Sequence, residues 1–220
     1  MAKENSNNFN EISDFAKHLA TILPIMLGDL FVDNVEFDDA STTELALLLN
    51  EFLFESTRAR PIFVADMLNK KLANVLKKYL IDTGSKLEND NLLGDHRPLQ
   101  SFASRIDIAY RIGLIDTDLR DHLKRVNKIR VIFAHNWMAW DFDAEATKYV
   151  QDLRFFNFAK KNEKDFQDMY NRLFAKGCSI TMSELTFLLC TTYLYISLIA
   201  LEQVAKPIQK TDIYKSSKGR

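Results

Sequence analysis

The chain has 220 residues, 47% of them hydrophobic and 27% charged, the balance of a globular domain rather than of a disordered chain. Only 6 glycines and 4 prolines leave little room for the turns of a β-sandwich and point to long elements with short connections. A net charge of -1 supplies no global field for nucleic acid or an anionic membrane, so any such contact has to be a local patch.

In chain order, residues 1–8 are polar and read as a frayed end. From Phe9, apolar residues recur at helical spacing through Ile12, Phe15, Leu19, Ile22 and Leu23, and resume after Pro24 up to Leu30. No apolar run of signal-peptide type opens the chain, which predicts a cytoplasmic protein. Thr42 or Thr43 is placed to cap a helix over 44–54. Residues 55–81 read as one long amphipathic helix with Ala65, Leu68, Leu72, Val75, Leu76 and Tyr79 as its stripe. Pro61 falls in its first turn or at a junction.

Residues 82–98 form the main loop, with a short turn at Leu92–Leu93. Residues 99–115 are helical and end at Gly113. Asp116 or Thr117 caps the next helix, which runs to His135. "WMAWDFDAEAT", 137–147, reads as a loop with two tryptophans. One or two further helices fill 148–177.

The last element, 183–206, is stopped by Pro207 and carries no charge between Leu185 and Leu201. That length is near the lower limit of a membrane span, which needs roughly 20 apolar residues. Glu184 and Glu202 bracket it and Thr and Ser interrupt it, which favours a core helix or a dimer contact. The tail 207–220 is weakly basic.

The chemistry-bearing residues are few. Cys178 and Cys190 belong to no CxxC pair and read as reduced thiols. His18, His96, His122 and His135 are scattered, so neither a metal nor a cofactor is predicted. There is no Gly-rich phosphate loop, GxSxG or HExxH.

What stands out is "VNKIRVIFAHNW", 126–137. Counting 100° per residue from Leu119 puts Leu123 at about 40°, Val126 at about −20° and Phe133 at about −40°. Arg130 falls at about 20°, inside that stripe, where a charge is costly unless paired or facing a cavity. His135 falls at about 160°, so the two side chains do not meet on one ideal helix. They converge only if the helix ends near Phe133 or if two copies face each other across a two-fold axis. Two readings stay open. In the first, Arg130 is a buried ion-pair residue with Glu55 or Asp107 as partner, and His135 closes the helix C-terminus. In the second, Arg130 steadies a phosphate and His135 transfers a proton. Trp137, Trp140 and Phe142 form either a partner-binding surface or a lid folded over the core.

The blocks Glu55-Ser56-Thr57-Arg58, Ser104-Arg105-Ile106 with Ala109-Tyr110, Gly113-Leu114-Ile115, and Ile129-Arg130 with Phe133-Ala134-His135 resemble the mannitol operon repressor (MtlR) family. The likeness covers roughly residues 50–145. The closing block is also similar to the Arg-x4-His motif of HEPN domains, helical modules that often dimerise and that include metal-independent ribonucleases. The resemblance implies a composite Arg130/His135 site shared by two protomers. Position 131, polar and often Asn in the active members, is Val here.

The expectation is an all-α, HEPN-like bundle of about seven or eight helices in one domain, 9–206, centred on 55–81 and 117–134. The resemblance implies a transcriptional-regulator-like module, homodimeric, acting through a protein partner. With no helix-turn-helix and no basic helix, direct DNA reading and membrane contact are not expected. The alternative is a HEPN-type ribonuclease acting on RNA; a third reading is a purely structural domain.

Overall fold

The computed structural model describes residues 38–80, 84–135, 144–153 and 180–208, with Phe142, Phe156, Lys164 and Asn171 as single positions. Among these residues all regular structure is helical: six α-helices and one 3-10 turn. The helix predicted over 9–30, the N-terminal end, most of 154–177, the tail from 209 on, Trp137, Trp140 and Cys178 lie outside the described residues.

The first helix, α1, is Asp39–Phe54. It starts earlier than the threonines suggest, because Asp38 is the cap: its Oδ1 accepts from Ser41 N at 2.8 Å. Thr43 instead donates its hydroxyl back to Asp39 O. Leu45, Leu48, Leu49 and Phe52 are fully buried on one face.

After α1 comes α2, Ala59–Tyr79, within the predicted 55–81. Ser56 O accepts from Ala59 N and Arg60 N, so the helix is already winding when Pro61 arrives, and a proline there removes no needed donor. The short 3-10 turn Leu87–Asn89 leads to buried Asp90, whose Oδ1 accepts from both Leu92 N and Leu93 N. That Asx turn is the predicted turn at 92–93.

Ser101 caps α3, Phe102–Arg111. Gly113 at φ +72 closes it, with Gly113 N bonded to Tyr110 O and Leu114 N to Ala109 O. This is the left-handed ending that glycine makes without strain. Asp116 Oδ1 then accepts from Leu119 N to start α4, Thr117–His135. The next helix, α5, is Ala144–Gln151. It begins inside the stretch expected as loop, because Ala144, Glu145 and Ala146 are strong helix formers.

The last helix, α6, is Met182–Val204, and it opens with a capping box. Thr181 Oγ1 accepts from Glu184 N, and Glu184 Oε2 accepts from Thr181 N at 2.7 Å. By length and composition α6 could cross a membrane, but 89% of its most apolar window is buried inside the protein.

One hydrophobic core joins these helices. α2 packs against α1, α3, α4 and α6, and α4 against α3, α5 and α6. α2 and α6 run side by side in the same direction. Arg60 meets Glu184 near their starts, and Lys78 Nζ donates to Glu202 O near their ends. Past α6, Ile208 N donates to Tyr79 O and satisfies a terminal carbonyl of α2. Each fully buried leucine in this core contributes about 2 kcal/mol of transfer free energy.

Candidate functional site: the α4 surface and its surroundings

The second half of α4 carries the residues that the sequence singled out. Its core side is His122, Leu123, Val126, Ile129 and Phe133. From Val126 through Ile129 to Phe133 the spacing averages 3.5 residues, so the buried stripe drifts against a 3.6-residue helix. Ile129, at about −80° on the same wheel, takes the core position. Arg130 is left outside and is exposed.

The buried Arg130 ion pair is therefore not what forms. Asp107 pairs with Lys124 at 2.7 Å, Glu55 is half-buried, and Arg130 makes no ion pair among the described residues. Val131 and His135 are exposed as well. The helix runs through His135 without ending at Phe133, so Arg130 and His135 stay about 140° apart and form no joint site within one chain.

The helix-closing task expected of His135 belongs to Arg58. Its Nε donates to Phe133 O at 3.2 Å, placing a cation among the last carbonyls of α4. The Glu55–Arg58 and Ile129–His135 blocks do meet, through Arg58.

The buried cations are elsewhere, and the sequence reading missed them. Arg60 Nη1 is 2.6 Å from Glu184 Oε1, with side chains only 5% and 2% exposed. Its Nε and Nη2 donate to Phe52 O and Leu53 O, the last carbonyls of α1. Lys71 Nζ lies 2.7 Å from both Glu44 Oε2 and Glu202 Oε2. Tyr195 donates its hydroxyl to the same Glu44 oxygen at 3.1 Å.

Burial pulls the Lys71 pKa down, but its bonds to Glu202 and Glu44 outweigh it and hold the ammonium above its ordinary value. Burial, and then the Glu44 carboxylate, push the Tyr195 phenol well above its ordinary value. A signal for these pairs was present. Arg60 and Lys71 fall on the stripe of Val64, Leu68 and Val75, and the only carboxylates flanking the apolar helix are Glu184 and Glu202.

Arg105 is a third buried cation, held by carbonyls rather than by a carboxylate. It donates to Leu99 O, Leu93 O and Asn69 Oδ1 at 2.6–2.7 Å. Burial lowers its pKa, with Asp95 and Asp66 pulling the other way. The Ser104-Arg105-Ile106 block is thus a clamp that ties the 93–99 loop to α2 and α3.

Of the three aromatics expected at a partner surface, only Phe142 is described. It sits half-buried between Phe133 and Phe187, with ring centroids 5.1 and 5.4 Å away, and Phe187 continues to Phe52 at 6.3 Å. Phe142 is therefore part of the core lid rather than a displayed anchor.

A cavity of about 310 Å³ lies at the other end of α4. Gly113, Leu114, Ile115 and Asp116 of the α3–α4 turn line one side, Asp118, Leu119 and His122 of α4 the floor, and Tyr193, Leu194, Ser197, Ala200 and Leu201 of α6 the far wall. His122 is buried, with Nε2 3.4 Å from Asp118 Oδ1.

Among the described residues no three His, Cys, Asp or Glu side chains gather as a metal site. No family model, curated protein or solved structure matches the chain.

Proposed function

We propose that this chain is a non-catalytic regulatory interaction module of the type implied by its resemblance to the MtlR family. It acts through protein contacts made by the outer face of α4 and assembles as a homodimer. One observation carries the reading: Arg130, Val131 and His135 are all exposed on α4, and none is needed to hold the helix. Arg58 closes the helix end and Ile129 fills the core, so the exposed residues are free to meet a partner. Arginine is enriched at protein contact surfaces, and Arg130 stands beside the exposed apolar Val131. A valine at position 131 also supplies no group to orient a phosphate.

A second reading is a ribonuclease, because the same exposure leaves Arg130 and His135 reachable by RNA. In that case the pair has to be completed by a second copy.

A photo-reactive residue at position 131 tests the lead reading. It is expected to give a discrete protein adduct in cells, either with another copy or with one partner, and Arg130→Glu is expected to remove it. A control at Lys70, exposed on α2, is expected to give none. Equal labelling from both positions would count against a specific α4 surface.

A further inference from the structure

We infer that the cavity between the α3–α4 turn, the first turns of α4 and the second half of α6 binds a small amphiphilic cation: an amine on an apolar body. The inference does not rest on the interaction reading, since the cavity lies at the opposite end of α4 from Arg130 and His135.

The size fits a small ligand. About 310 Å³ is at the lower end of small-molecule pockets, which run from roughly 300 to 1,000 Å³. At ~30 Å³ per water-sized unit, it accepts roughly ten non-hydrogen atoms. Leu119, Leu194 and Leu201 give it an apolar wall.

The polar groups select the ligand's charge. Two carboxylates, Asp116 and Asp118, stand at the rim, and no lysine or arginine is among the described lining residues. A phosphate or carboxylate ligand would meet like charge there. Two features favour an anion, and each already faces a carboxylate: Asp116 accepts from Leu119 N at the positive end of α4, and Asp118 Oδ1 lies 3.4 Å from Nε2 of the lining His122.

The hydrogen-bonding direction agrees. Ser197 donates its hydroxyl proton to Tyr193 O at 3.0 Å, so towards the cavity it offers lone pairs. Asp118 is exposed and acceptor-only when ionised. Towards Ser197 and Asp118 a ligand has to donate, as an ammonium does, and the leucines reward an apolar body behind it.

The test uses two probes with the same body and opposite charge, 4-phenylbutylamine and 4-phenylbutyrate, titrated calorimetrically into the full chain. The amine is expected to bind with Kd below about 1 mM and the carboxylate at least about ten-fold more weakly. Asp118→Asn, which keeps an oxygen facing His122 Nε2, is expected to weaken the amine about ten-fold with the helical circular dichroism unchanged. Ser197→Phe, which fills the cavity from its half-buried wall, is expected to abolish binding while the helical circular dichroism is unchanged. Val131→Asp is expected to leave amine binding untouched, which separates this site from the α4 contact surface. Equal binding of the two probes would overturn the inference. So would binding that survives both Asp118→Asn and a folded Ser197→Phe, or no binding of the amine up to about 10 mM.

Discussion

Replacing Glu184 by Ala strands the Arg60 guanidinium in the core. The pair is 2.6 Å apart and its side chains are 5% and 2% exposed, so water cannot substitute for the lost carboxylate. Removing one partner of a buried pair costs roughly 3–5 kcal/mol. Arg60 keeps its bonds to Phe52 O and Leu53 O, which places the cost at about 3 kcal/mol, the lower end of that range. Glu184 also accepts from Thr181 N, and losing that half of the capping box adds about 1 kcal/mol.

The total is about 4 kcal/mol, or a fall in Tm of about 10 °C for a chain of this size. Urea unfolding followed by circular dichroism at an unchanged m-value measures it. Glu184→Gln keeps the cap acceptor and isolates the charge. Arg60→Met with Glu184→Leu removes both charges and is expected to recover at least about half of the single-variant loss. A Glu184→Ala loss below about 1 kcal/mol, or a double variant as unstable as the single one, would refute the reasoning.

The Lys71 and Tyr195 cluster predicts alkaline sensitivity. Both folded-state pKa values are raised, so the folded chain holds protons that the unfolded chain releases, and stability falls as pH rises. The loss sets in near the ordinary values of 10.0 for Tyr195 and 10.5 for Lys71 and continues towards the raised ones. Tyr195→Phe is expected to flatten the first part of that fall in urea midpoints, and an unchanged alkaline slope would count against the coupling. Arg105→Met is expected to cost about 3 kcal/mol, because the carbonyls of Leu93 and Leu99 and the Asn69 amide lose charged donors. It should also speed proteolysis within 84–100, and a loop cut no faster than in the parent would contradict the clamp. Phe142→Ala is expected to cost about 2 kcal/mol, less than a fully buried Phe because Phe142 is only half-buried. A change under about 0.5 kcal/mol would mean that Phe142 is displayed to solvent rather than packed on the core.

The helices were legible because their signals are local. The stripe of α2, the glycine at 113 and the acidic cap of α4 each act within a few residues, and each is found where the spacing predicts it. The Asp38 cap and the Thr181–Glu184 capping box are equally local, but Thr42, Thr43 and Ser183 offer competing cap residues within a few positions, and only the structure separates them.

What could not be read was which charges are buried. That depends on how far a 3.5-residue stripe drifts over five turns and on which helix lies opposite. On a fixed wheel Arg130 falls inside the stripe, whereas the packing against α2 and α3 buries Ile129 instead. Arg60 and Lys71 are buried because α6 brings Glu184 and Glu202 alongside them, from 124 and 131 residues further along the chain. The cavity at His122 was hidden for the same reason, since its far wall is α6.

The most direct test of the central claim is RNA cleavage by the purified full chain in EDTA, beside His135→Ala, with oligomeric mass measured on the same samples. No cleavage by either protein is expected, and the same fold and assembly for both, because His135 is exposed and the α4 end is held by Arg58. Cleavage by the parent chain that disappears in a folded, equally assembled His135→Ala would contradict it and establish a metal-independent nuclease.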